Sequence, residues 1–154
     1  MVHYSSMTLR FDGACQPNPG KGGGGYVISN DDENEKIIIE GYFPVRGKCT
    51  NNVAEYFGLY KGLNALKKSG HTVEQLNIQG DSELVINQMT GDYQVKQNRL
   101  KKIKMMTKAR LYKGNYHKNH NFRHIERELN SAADELARRA VDKDEPWTKD
   151  YTNE

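Results

Sequence analysis

Thr8-Leu9-Arg10-Phe11-Asp12-Gly13-Ala14-Cys15-Gln16-Pro17-Asn18-Pro19-Gly20 is the stretch on which the reading turns. Thr8 to Asp12 alternates polar and apolar, the period of a half-buried strand. Two prolines, an asparagine and Gly20 then break the pattern in favour of a turn. The strand therefore ends on an acid, Asp12, where its carboxylate stands beside irregular backbone. Downstream, Gly22 to Gly25 lead into a second strand, Tyr26-Val27-Ile28-Ser29. Asn30 to Asn34 form a polar turn, and Lys36 to Phe43 form a third strand. The short connections make these three an antiparallel meander.

Beyond Val53 the period becomes helical. Ala54, Phe57, Leu59, Leu63 and Leu66 recur on one face, and Gly70 ends the helix. Gln75 to Gly80 form a fourth strand running into Asp81. Glu83 to Met89 form a short helix stopped near Gly91. Arg99 to Tyr112 form a longer helix with Leu100, Ile103, Met106 and Leu111 inward. Asn121 to Ile125 form a fifth strand, with His124 inside it, and Ala132 to Val141 a last helix. Strands joined through helices run parallel, so the expected fold is α/β with a five-stranded mixed sheet flanked by helices. One domain over 1–141 and a loose polar tail over 142–154 account for the chain's 154 residues.

Composition narrows the function classes. No run approaches the roughly 20 apolar residues of a membrane span. Met1 to Ser6 has neither the basic start nor the apolar stretch of a signal peptide. Two cysteines, Cys15 and Cys49, make no disulfide framework. These features predict an intracellular protein, cytoplasmic and monomeric, with no membrane association. The net charge of +3 conceals an asymmetry. From Tyr93 to Ile125 there is no Asp or Glu, while the span carries Lys96, Arg99, Lys101, Lys102, Lys104, Lys108, Arg110, Lys113, Lys118 and Arg123. An acidic body with one basic segment suits a polyanionic partner meeting one region, although a solvated helix face would leave the same pattern.

Four acids stand where elements begin or end: Asp12, Glu55, Asp81 and Asp134. Hard divalent cations take a few carboxylates and leave room for water and phosphate. Two such ions can hold the attacking and leaving oxygens of an in-line displacement. Each acid also has a structural explanation. Asn52-Val53-Ala54-Glu55 and Ser131-Ala132-Ala133-Asp134 fit helix capping, Asp81 could cap the helix after it, and Asp12 could serve an Asp-Gly turn. Spacing alone leaves these alternatives open.

The residues around the acids decide between them. Asp12 to Gly20 followed by Gly25-Tyr26 resembles the opening strand and turn of type 1 ribonucleases H. Thr50-Asn51-Asn52-Val53-Ala54-Glu55-Tyr56 resembles the second motif of that family, Gly80-Asp81-Ser82-Glu83-Leu84-Val85 the third, and Asn130-Ser131-Ala132-Ala133-Asp134-Glu135-Leu136-Ala137 the fourth. The likeness runs in order from about Thr8 to Ala140. It implies the ribonuclease H-like fold, and it makes Asp12, Glu55, Asp81 and Asp134 the catalytic carboxylates holding two Mg²⁺ ions, with Mn²⁺ as an alternative. The implied activity is cleavage of the RNA strand of an RNA–DNA hybrid, leaving 5′-phosphate and 3′-hydroxyl ends. Implied substrate contacts are Asn18, Thr50, Asn51, Asn52, Ser82 and Glu83. Lys101, Lys102, Lys104 and Lys108 are candidates for phosphate contacts from the helix.

His124-Ile125-x-Arg127-Glu128-x-Asn130 resembles the archaeal and plant-type branch, and no room is left for the basic protrusion that some members carry. His124 is read as structural, with Glu126 and Glu128 left open. Two rivals remain at this point: a module that binds the hybrid without cutting it, and a relative on the same fold doing other phosphoryl transfer.

Overall fold

A computed structural model describes residues 2–17, 19–114 and 119–152. The meander is as expected but longer: β1 (His3–Gln16), β2 (Gly20–Asn30) and β3 (Lys36–Cys49) pair antiparallel in sequence. Helix α1 (Asn51–Ser69) leads to β4 (Thr72–Gly80), which lies parallel to β1. Helices α2 (Glu83–Thr90) and α3 (Asn98–Lys113) precede β5 (His120–His124), parallel to β4. Helix α4 (Ser131–Val141) follows. Last comes β6 (Trp147–Asp150), antiparallel to β3, and the sheet order is β5-β4-β1-β2-β3-β6.

Among the described residues the sheet thus has six strands where the sequence predicts five, and Trp147–Asp150, within the stretch expected to be a loose tail, form the sixth. Trp147 pairs with Tyr42 and Asp150 with Ile39. The Tyr42 and Trp147 rings lie 5.7 Å apart. His71 fastens the same corner: its Nδ1 accepts the Val2 amide at 3.0 Å, and its Nε2 lies 3.0 Å from an Asp150 carboxylate oxygen. Four residues are too few to show an alternation, so tertiary packing supplies what periodicity cannot.

The glycine run is the second departure. Gly22 to Gly25 belong to β2 itself, buried in the middle of the sheet. A Cβ on Gly24 would lie 2.6 Å from the Gly58 nitrogen of α1. One on Gly25 would lie 2.6 Å from the Ala133 carbonyl oxygen of α4. Successive strand residues point to opposite faces, so α1 and α4 cover the two faces of the sheet and both approach β2 backbone-close. Gly23, Gly24 and Gly25 thus serve helix packing, while Gly22 leaves room for the sulfurs of Cys15 and Cys49.

Leu59, Leu63 and Leu66 of α1 are fully buried against Met7, Leu9 and Phe11 of β1, as their spacing predicts. Helix α3 joins this core through Leu100, Ile103 and Leu111. Met106, expected inward, is 37% exposed. The inward position is Thr107, whose hydroxyl is satisfied by donating to the Ile103 carbonyl at 2.7 Å. Among the described residues no helix is long and apolar enough to cross a membrane.

Candidate active site

Strand pairing sets the first two acids. β1 does not end at Asp12 as expected but runs on to Gln16 against β2. Its parallel pairing with β4 stops at Phe11 and Gly80, so Asp12 within β1 and Asp81 just past β4 stand side by side. Ligands gather at this end of α/β sheets because loops and helix starts converge there. Helix α1 brings the third acid. Thr50 caps it, its hydroxyl accepting the Val53 amide at 3.3 Å, and the helix starts at Asn51. Glu55 therefore lies beyond the first turn, which excludes the capping explanation built on Asn52. Gly13 permits the approach, since a methyl there would overlap the Glu55 amide nitrogen. The last helix is tied to the same spot by buried Asn130, whose amide donates to the Phe11 carbonyl at 2.9 Å. No side-chain cap forms there, and Asp134 lies in the first turn of α4.

One oxygen each from Asp12, Glu55 and Asp81 lies within 4.8 Å of the others. Asp12 is 4% exposed and Glu55 8%. Burial, the largest cause, raises Asp12 to about 7; the Asp81 charge and a hydrogen bond with Asp134 add to this, while hydrogen bonds from Glu55 and the Gly13 amide oppose it. Glu55 is pushed well above the ordinary carboxyl range, first by burial and then by the Asp12 charge. Both carboxyls are thus held toward their neutral forms by burial and by the charge of neighbouring acids. The Glu55 Oε2 atom is buried with no hydrogen-bond partner. A buried, partnerless carboxylate oxygen beside two more carboxylates is costly unless a cation meets it. This all-oxygen donor set fits a hard divalent ion.

Asp134 completes the four in looser fashion. It reaches Asp12 but stands outside the compact three, half-buried and paired with Arg138 at 3.2 Å. The acids open onto a cleft of about 310 Å³ lined also by Asn51, Asn52, Ser82, Arg127 and Arg138.

Of the other expected contacts, Thr50 and Ser82 are helix caps, Ser82 accepting the Val85 amide at 3.2 Å. Glu83 is exposed and does not line the cleft; it accepts the Tyr93 hydroxyl at 3.4 Å. Asn18 and Lys118 lie outside the described residues. Lys101, Lys104 and Lys108 line one groove of about 690 Å³ with Tyr93 and Met105, whereas Lys102 is exposed elsewhere on α3. His124 ends β5 with its Nε2 3.2 Å from the Asp81 carbonyl, a backbone-holding position. The buried thiols of Cys15 and Cys49 are free; they meet over Gly22, and burial pushes Cys49 up to about 12.

Two cleft residues escape the sequence reading. Arg138 follows Asp134 by four, a helical ion-pair spacing that is legible in principle. Arg127 stands within the His124–Asn130 motif, which assigns it no role; a 3-10 turn over Arg127–Asn130 brings it to the cleft.

A mixed sheet with Asp12 and Asp81 side by side where its two central parallel strands part, and buried Glu55 of α1 set against them, defines a protein of the ribonuclease H-like class. Comparison with known proteins agrees. A family described as "Reverse transcriptase-like" matches residues 10–140. A bifunctional protein of Mycobacterium tuberculosis is 34% identical over 136 residues, 88% of this chain and 35% of that protein. The chain thus spans about a third of that relative's length. Ribonuclease H of Chlorobium limicola is 30% identical over 145 residues, covering 88% of this chain and 94% of its own. Among solved structures, LC11-RNase H1 in complex with an RNA/DNA hybrid superposes with a TM-score of 0.80 at 34% identity, covering 88% of this chain and 96% of that one. The chain belongs to the type 1 ribonuclease H family.

Proposed function

We propose that this chain hydrolyses the RNA strand of RNA–DNA hybrids with the help of divalent ions held by Asp12, Glu55, Asp81 and Asp134. The observation that carries the reading is the group of three carboxylate oxygens within 4.8 Å of one another, one of those acids having a buried oxygen without a partner. Similarity to ribonucleases H, one of them solved on a hybrid, supports the choice of substrate. Bound ions, two Mg²⁺ in this reading, would supply Lewis acidity that activates water and stabilises charge on the departing 3′ oxygen.

The protein's own residues do the rest. Asp12 and Asp81, fixed by adjacent parallel strands, need no reorganisation to present oxygens to a cation. Arg127, on the cleft wall, supplies a cation to a phosphate that the acids would otherwise repel. Asn51, Asn52 and Ser82 offer short polar groups to ribose 2′-hydroxyls, the feature that separates RNA from DNA. Lys101, Lys104 and Lys108 form a groove suited to backbone phosphates, which position the duplex without reading its sequence. A single helix, α3, carries this basic surface, consistent with a branch lacking an inserted protrusion.

The test is incubation of a labelled hybrid with the protein, with and without Mg²⁺, beside Asp81→Asn. Cutting of the RNA strand that needs the metal and disappears in the variant is the expected result. Tight binding of the hybrid with no cutting in Mg²⁺ or Mn²⁺ would leave a binding module and overturn the proposal.

A further inference from the structure

Asp134 differs from the other acids in having a protein cation of its own. The Nε of Arg138, one turn further along α4, lies 3.2 Å from each of its carboxylate oxygens. Arg138 lines the same cleft, so the pair stands at the mouth of the site and not on a remote surface. The guanidinium charge beside both oxygens competes with an incoming ion for the same carboxylate. The pair is 62% exposed on the arginine and 29% on the aspartate, so solvent weakens it enough for a divalent cation to displace it.

We propose that Arg138 is a positioning residue that withholds Asp134 from the metal site and so sets the divalent-ion concentration at which this fourth carboxylate is recruited. The inference rests on the metal-dependent reading above and adds to it a competition between a side chain and an ion. In the metal-free protein Arg138 offsets part of the charge that four clustered acids place in one cleft. As an ion arrives, Asp134 exchanges the guanidinium for the ion, and Arg138 is released into the cleft.

Helix α4 contains its own control. Arg139 pairs with Glu135 at 3.0 Å with the same four-residue spacing, and neither lines the cleft. Removing Arg139 takes the same charge from the same helix without freeing Asp134.

The experiment is calorimetric titration of the full chain with Mn²⁺ alone, in wild type, Arg138→Ala, Arg139→Ala, Asp134→Asn and the Asp134→Asn/Arg138→Ala double variant. Exposed pairs of this kind alter an equilibrium by about twofold to fivefold, so Arg138→Ala is expected to tighten Mn²⁺ by about that factor. Arg139→Ala is expected to leave affinity unchanged. The Arg138→Ala effect is expected to vanish once Asp134 is Asn, since a double-mutant cycle isolates the pair. Melting in EDTA verifies that each variant is folded. No tightening in Arg138→Ala, or the same tightening with Asp134 already replaced, would overturn the proposal and make Arg138 a bystander or a diffuse charge. Wild type that takes up no Mn²⁺ at all would remove the metal reading itself, and this inference with it.

Discussion

Replacing Asp12 by Asn should abolish the proposed activity yet stabilise the metal-free protein, and the size of the gain follows from the site. The unfolded chain ionises Asp12 near 3.8, whereas the folded site, through burial and neighbouring acids, raises it to about 7. Between these values the native state holds more protons than the unfolded state, so stability falls as pH rises through this window. Above pH 7 the full penalty applies: about three units at about 1.4 kcal/mol each, or roughly 4 kcal/mol. Asparagine carries no charge and escapes it, less what its own buried amide costs. Asp12→Asn in EDTA at pH 8 is therefore expected to be more stable by about 2–4 kcal/mol, roughly 5–15 °C in Tm for a domain of this size. At pH 4.5 the native carboxyl is already protonated, and the gap should shrink to within about 1 kcal/mol. Millimolar Mg²⁺ should narrow the gap at pH 8, because it stabilises wild type, with its full set of acids, more than the Asn variant. Thermal and urea unfolding followed by circular dichroism at the two pH values provide the assay. An Asn variant no more stable than wild type at pH 8, or a gap that ignores pH, would refute the picture of crowded, desolvated carboxyls.

Two further outcomes test the packing and the basic surface. Gly58→Ala in mid-helix would ordinarily gain about 1 kcal/mol from helix propensity, but a methyl there would overlap the Asp12 carbonyl; denaturant unfolding should show a loss of about 2 kcal/mol or more. Simultaneous replacement of Lys101, Lys104 and Lys108 by Ala should leave melting within about 2 °C, because Lys101 is exposed, and half-buried Lys104 and Lys108 line an open groove outside the core. It should flatten the salt dependence of hybrid binding by a log–log slope of about 2 to 3, since each phosphate contact contributes about 0.7 to 0.9; an unchanged slope would take the groove off the substrate path.

The amino-acid sequence alone determined the elements whose signals are local. Alternation around Leu9 and Phe11 marks a strand because a half-buried sheet has period two. The spacing of Leu59, Leu63 and Leu66 marks a helix because all three meet one core. The four acids were legible because each sits inside a motif with its own neighbours, and the structure brings Asp12, Glu55 and Asp81 together with Asp134 alongside.

What only the tertiary structure decided involves partners distant along the chain. Gly22 to Gly25 read in isolation only as a lead into a strand, and Gly23 to Gly25 are central strand pressed by two helices from opposite faces. Trp147 to Asp150 carry too few residues for a periodic signal, and they pair because β3 offers an edge and His71 a hydrogen-bond partner. The raised carboxyls of Asp12 and Glu55, the partnerless oxygen, and the arrival of Arg127 at the cleft all depend on where backbone from separate elements comes to rest. Local propensity is written residue by residue. Burial and charge proximity exist only once the chain has closed on itself.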